Sequence, residues 1–130
     1  MKNLLGLTLV AVLMIGAAPA YSGEATQMWK CEVDVETTEA EIKEMASEWL
    51  KAAKKMEGGE NLEAYVFFPI AVNMSGETDL IFVVVAPTFE EWGRFWDGYA
   101  GSEAAKIDER NVELGVVCPD SALWESITVK

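Results

Sequence analysis

The chain has 130 residues, 51% of them hydrophobic, with 22 acidic against 10 basic residues, no histidine and a formal net charge of −12. That charge excludes nucleic acid and anionic membrane surfaces as favourable partners, because like charge raises the cost of approach. The lack of imidazole removes Ser-His and Cys-His nucleophiles, His-ligated haem and nearly every familiar zinc site.

Residues 1–20 read as a cleaved secretory signal. Lys2 precedes an apolar run from Leu4 to Ala18, and Ala18-Pro19-Ala20 supplies the small residues of a cleavage site. The run is too short and too weakly flanked to serve as a membrane span. It holds one of the ten basic residues and none of the acidic ones, so residues 21–130 carry −13. Their expected place is the bacterial periplasm or the exterior, with no membrane attachment after cleavage. No repeat or low-complexity tract divides them, which predicts one domain, 29–118, between an N-terminal lead, 21–28, and a C-terminal arm, 119–130.

From Trp29 the pattern alternates. Trp29, Cys31, Val33 and Val35 face one way and Lys30, Glu32, Asp34 and Glu36 the other, which predicts a strand. Thr38-Glu39-Ala40-Glu41 is a capping box, and Ile42, Met45, Ala46, Trp49, Ala53 and Met56 follow at helical spacing. Glu39 and Glu41 suit the positive end of that helix dipole, Lys54 and Lys55 the negative end, and Gly58-Gly59 stops it. Leu62 to Val72 predicts a strand apolar on both faces, with Pro69 favouring a sheet edge. Asn73 to Thr78 turns the chain, and Asn73-Met74-Ser75 fits a glycosylation acceptor.

Leu80 to Ala86 predicts a second doubly apolar strand. Thr88-Phe89-Glu90-Glu91 repeats the capping box, and Phe89, Trp92, Phe95, Trp96 and Tyr99 continue at helical spacing. Gly101 ends that helix, and Ser102 to Asp108 adds a short helical turn. Asn111 to Cys118 alternates again and predicts the last strand.

The order β-α-β-β-α-β, with right-handed crossovers, predicts an α+β, ferredoxin-like sandwich: a four-stranded antiparallel sheet with two helices on one face. The last strand should lie beside the first, with the second at an edge. Two cysteines in an oxidising compartment predict one disulfide, Cys31–Cys118, since neither has the close neighbour of a C-x-x-C redox pair and a two-thiolate metal site lacks its other ligands. No metal or cofactor is expected. If the two cysteines face each other, Val33 should pair with Val116 and Val35 with Leu114.

Two helices cover only one face of a sheet. The outer strands look wet on the other face, but the middle pair is apolar on both, and so broad an apolar patch usually marks an interface. It predicts a homodimer packed sheet to sheet, burying roughly 1,200–2,000 Å². The competing expectation folds the tail or the lead over that patch.

The element order and the start of the second helix, Thr88-Phe89-Glu90-Glu91-Trp92, resemble the dimeric α+β barrel superfamily, which includes antibiotic-biosynthesis-monooxygenase-like, haem-degrading and muconolactone-isomerase-like proteins. The resemblance implies a homodimer with a pocket between sheet and helices, and chemistries from oxygenation through isomerisation to none. The haem-degrading branch relies on a histidine ligand that this chain lacks, so no catalytic residue carries over.

Tyr65, Phe67, Trp96 and Tyr99 are the aromatic candidates for a ligand site, set against the plainer reading of aromatic stripes as core. Glu32, Asp34 and Glu113 are the carboxylate candidates: on neighbouring strands they would raise one another's pKa and give a general base, whereas the plainer reading is a solvated strand face. Arg94 is expected to pair with Glu90 or Glu91 rather than bind an anion. These features predict a non-catalytic, exported, acidic homodimer that binds a small apolar or aromatic molecule or serves as an interaction module. The alternative is a cofactor-independent monooxygenase or isomerase acting in the same pocket.

Overall fold

The molecule, represented by a computed structural model, is described over residues 22–71 and 78–130. The expected signal segment and the Asn73-Met74-Ser75 acceptor lie outside the described residues. Strand β1 (Glu24–Val33) leads to helix α1 (Glu39–Ala53) and strand β2 (Glu63–Phe67). Strand β3 (Leu80–Ala86), helices α2 (Phe89–Asp97) and α3 (Glu103–Glu113), and strand β4 (Val116–Ser126) complete the order. The strands form one sheet, β2-β3-β1-β4, with every neighbouring pair antiparallel. This is the ferredoxin-like α+β arrangement, with β4 beside β1 and β2 at an edge.

The starts of α1 and α2 were legible because cap chemistry is local, although only α1 shows the full reciprocal box among the described residues. Glu41 N–H donates to Thr38 Oγ1 at 3.3 Å, and Thr38 N–H donates back to Glu41 Oε2 at 2.7 Å. At α2, Glu91 N–H donates to Thr88 Oγ1 at 3.1 Å, and at α3 Ala105 N–H donates to Ser102 Oγ at 3.1 Å.

Several boundaries differ from the expectations. β1 starts at Glu24, so most of the expected lead 21–28 is already strand, paired on both sides. β2 stops at Phe67, before Pro69 would interrupt the ladder. The expected short turn at Ser102 is an eleven-residue helix, so residues 111–113 are helical and the sheet carries three helices in sequence rather than two. The expected arm 119–130 is β4 as far as Ser126. It extends the sheet sideways rather than folding over the apolar face.

The disulfide Cys31–Cys118 is present, and Val33 pairs with Val116. Above it the register shifts between Lys30 and Glu32, so Lys30 faces Asp120 and Thr26 faces Trp124. The expected Val35–Leu114 pair does not form. Leu114 caps α3, and Gly115, at φ +89°, turns the chain into β4 beside Asp34.

The core lies between the helices and one sheet face. Ala25, Val84 and Ala86 of the sheet pack with Trp49, Ala52 and Ala53 of α1, Phe95 of α2, and Ala104 and Ile107 of α3. The alanines bring the helix backbones close to the sheet, leaving the larger aromatic rings to fill the space beyond them. Gly58, at φ +79°, lies so near α2 that a Cβ there would stand 2.4 Å from the Glu91 carbonyl oxygen.

Candidate functional site

A cavity of about 320 Å³ opens between the sheet and the helices. Its floor is the sheet: Trp29 and Cys31 from β1, Leu80 and Phe82 from β3, Val116 and Cys118 from β4. Ile42, Met45, Ala46 and Trp49 of α1 form one wall. Trp96 of α2 and Tyr99 just beyond it form a second, and Asp108, Asn111 and Val112 of α3 a third. The disulfide is therefore part of the floor. By anchoring β4 to β1, it fixes the spacing of two strands that the cavity touches.

Ring packing holds the aromatic walls. Trp49 meets Phe82 edge-on with centroids 5.4 Å apart, and Trp29 lies 6.0 Å from Trp96. Trp96 and Tyr99 are 4.5 Å apart. The helical spacing that places Trp49 on the α1 stripe, and Trp96 and Tyr99 on the stripe of α2, thus builds core and cavity wall together.

One corner is polar. Trp49 Nε1–H donates to the Tyr99 hydroxyl at 3.0 Å, and that hydroxyl donates to Asp108 Oδ2 at 3.4 Å. Burial pushes the Tyr99 phenol up to about 12, against the opposing effect of the Trp49 hydrogen bond, with the Asp108 charge adding to the rise. Desolvation also raises the Asp108 carboxyl; the Tyr99 hydrogen bond opposes it and the nearby Glu109 charge reinforces it. One helical turn on from Asp108, Asn111 is 9% exposed, and its Oδ1 is buried with no hydrogen-bond partner among the described residues. Among the described residues that line the cavity, none carries a positive charge. Arg110 is held in a fork on Glu48, at 3.1 and 2.6 Å, which ties α3 to α1 and keeps the Glu48 carboxyl below its usual range.

The candidates from the sequence divide between two places. Trp96 and Tyr99 line the cavity. Tyr65 and Phe67 stack on each other, nearly parallel at 6.4 Å, on the opposite face of the sheet. There the Tyr65 hydroxyl bonds to Glu63, which raises its pKa. Glu32 is exposed on that same outer face, opposite Val117. Asp34 follows β1 and is exposed, with its backbone N–H donating to the Gly115 carbonyl at 3.0 Å. Glu113 ends α3 rather than lying on a strand, so these three carboxylates do not converge as neighbouring-strand residues. Arg94 pairs with Glu90, one turn away on α2.

Sequence reasoning missed Trp29, Trp49, Asp108 and Asn111 as cavity residues. The usable signal was the spacing of Ala104, Ala105, Ile107, Asp108 and Asn111, which is helical to the end of α3 and puts Asp108 and Asn111 on one face.

No family model and no curated protein sequence matches the chain. Among solved structures, a hypothetical protein of Arabidopsis thaliana superposes with a TM-score of 0.51 at 8% identity, over 85% of this chain and 94% of that one. A dimeric ferredoxin-like protein of unknown function from Thermobifida fusca gives 0.45 at 12% identity, over 85% and 97%. A chlorite dismutase variant from Candidatus Nitrospira defluvii gives 0.43 at 12% identity over 84% of this chain, which spans only 42% of the dismutase. At these identities the likeness is one of fold. No helix among the described residues is long and apolar enough to cross a membrane.

Proposed function

We propose that the protein is an exported, homodimeric binding module that takes a small apolar or aromatic molecule into the cavity between its helices and its sheet. The observation that carries this reading is the cavity itself. Its 320 Å³ falls in the range of small-molecule sites, roughly 300–1,000 Å³, and its lining is mostly apolar, with Trp29, Trp49, Trp96 and Phe82 among it and one polar corner. Export is supported by the signal-like pattern of residues 1–20 and by the Cys31–Cys118 bridge, which suits an oxidising compartment. The dimer is supported by the apolar face that the helices leave uncovered.

The test is a titration of the oxidised protein with 2-phenylethanol, followed through the indole N–H resonances. Those of Trp29, Trp49 and Trp96 should shift, while that of Trp124, on the outer face, stays still. Trp96→Ala should weaken binding about tenfold, the loss expected when one large aromatic contact is removed. Static resonances at all three cavity tryptophans up to the solubility limit would overturn the proposal.

A further inference from the structure

The polar corner narrows the kind of molecule the cavity takes, and the inference rests on the binding reading just given. An apolar ligand without polar groups would leave Asn111 Oδ1, which has no hydrogen-bond partner among the described residues, unpartnered still. Asn111 and Asp108 stand one turn apart on α3 and line the same wall. The Tyr99 hydroxyl already has its proton on Asp108 and its lone pair on Trp49, so it is less free to serve a ligand. What this corner offers is the Asp108 carboxylate and, one turn on along the same wall, the Asn111 amide, whose oxygen has no partner among the described residues.

The surrounding charge has the same sign. Glu109 adds its field to Asp108, Arg110 is taken up by Glu48, and the described chain lining the cavity has no cation that could neutralise Asp108. Trp29 on the floor and Trp49 and Trp96 on the other walls bring indole rings to the cavity, and the negative quadrupole of such a ring attracts a cation within about 6 Å. From this geometry we infer that the ligand is an aromatic or apolar molecule bearing a protonated primary amine, with its ammonium on Asp108 and Asn111 and its apolar body among the tryptophans.

Three nearly isosteric probes separate the possibilities: 2-phenylethylamine, 2-phenylethanol and phenylacetate, titrated into the full oxidised protein and read by calorimetry and by the Trp29, Trp49 and Trp96 resonances. The amine should bind at least about tenfold tighter than phenylacetate, with the alcohol between them, and added salt should narrow the spread because the mouth of the cavity is exposed. Asp108→Asn keeps the side-chain shape and should bring the amine down to the affinity of the alcohol. Asn111→Leu should weaken amine and alcohol together, and a thermal melt of each variant confirms that it is folded. Equal binding of the three probes, or an amine preference that survives Asp108→Asn in a folded variant, would overturn the ammonium assignment and leave the apolar binding reading standing. If none of the probes moves any of the three resonances, the binding reading falls with it.

Discussion

The Tyr99 hydroxyl, just beyond α2, joins two helices through two hydrogen bonds, one accepted from Trp49 on α1 and one donated to Asp108 on α3. Tyr99→Phe keeps the ring against Trp96 but leaves Trp49 Nε1 without an acceptor, in a side chain only 5% exposed. The expected cost is about 1–3 kcal/mol, measured as a lower urea midpoint. The pH dependence has a fixed sign. The folded phenol titrates near 12 and the unfolded one near 10.0, so between those values the folded state holds the extra proton. The stabilisation is complete below pH 10 and is lost as pH rises towards 12. The gap between wild type and Tyr99→Phe should therefore narrow above pH 10, whereas a constant gap would mean that the phenol is not held protonated by the fold. Tyr99 was legible as a site candidate because it continues the stripe of Phe95 and Trp96. Asp108 and Asn111 were not, because their meaning depends on a helix that the sequence reading ended at Asp108.

That helix boundary is an instructive failure among the elements. Val112, Leu114, Val116 and Cys118 alternate as a strand does, and over four apolar residues this pattern competes with the helical spacing that begins at Ala104. Gly115 decides between them. A glycine inside a strand weakens it, whereas one just after a helix takes the left-handed conformation that closes the last turn, and Gly115 has φ +89°. The pairing of Cys31 with Cys118 was legible despite the misplaced boundary, because redox compartment and cysteine count bear on it independently of strand limits. β4 beyond Pro119 gave little signal, since much of it is exposed: Leu123 is 38% exposed and Trp124 57%. The bridge closes 87 residues between β1 and β4, worth roughly 4–5 kcal/mol in the chain-entropy model. Replacing both cysteines with serine should lower the unfolding free energy by up to that amount. Because the bridge is part of the cavity floor, the same change should also weaken 2-phenylethanol binding in protein that remains folded. Equal melts for oxidised and reduced wild type would show that the sheet holds β4 without it.

On the scale of the whole molecule, the sheet has one face closed by helices and one open to other molecules, and register determines which residues the open face presents. Tyr65, Val83, Met28 and Ala122 pair strand to strand in a single apolar row across all four strands. Phe67 and Ile81 stand on one side of that row, and Val85 and Trp124 on the other. Glu63 and Glu24 at one end and Lys30, Glu32 and Asp120 towards the other give the patch a charged rim, the layout of an interface with an apolar centre. The proposed second copy would suit it, because a two-fold axis through the middle of the row would set the same apolar strip against itself and close the assembly at two chains. Sedimentation equilibrium of residues 21–130 should return twice the chain mass. Tyr65→Asp lies at the β2 edge, 45% exposed, and should fold normally as a single chain. In the dimer it would bury an unpaired carboxylate, which costs about 3–5 kcal/mol and raises the dissociation constant at least a hundredfold. The helix-side cavity is separated from that face by the sheet itself, so 2-phenylethanol should still shift the Trp96 resonance in the monomeric variant. A wild type that sediments as one chain at high concentration would leave the apolar row without its second copy and return the open face to solvent.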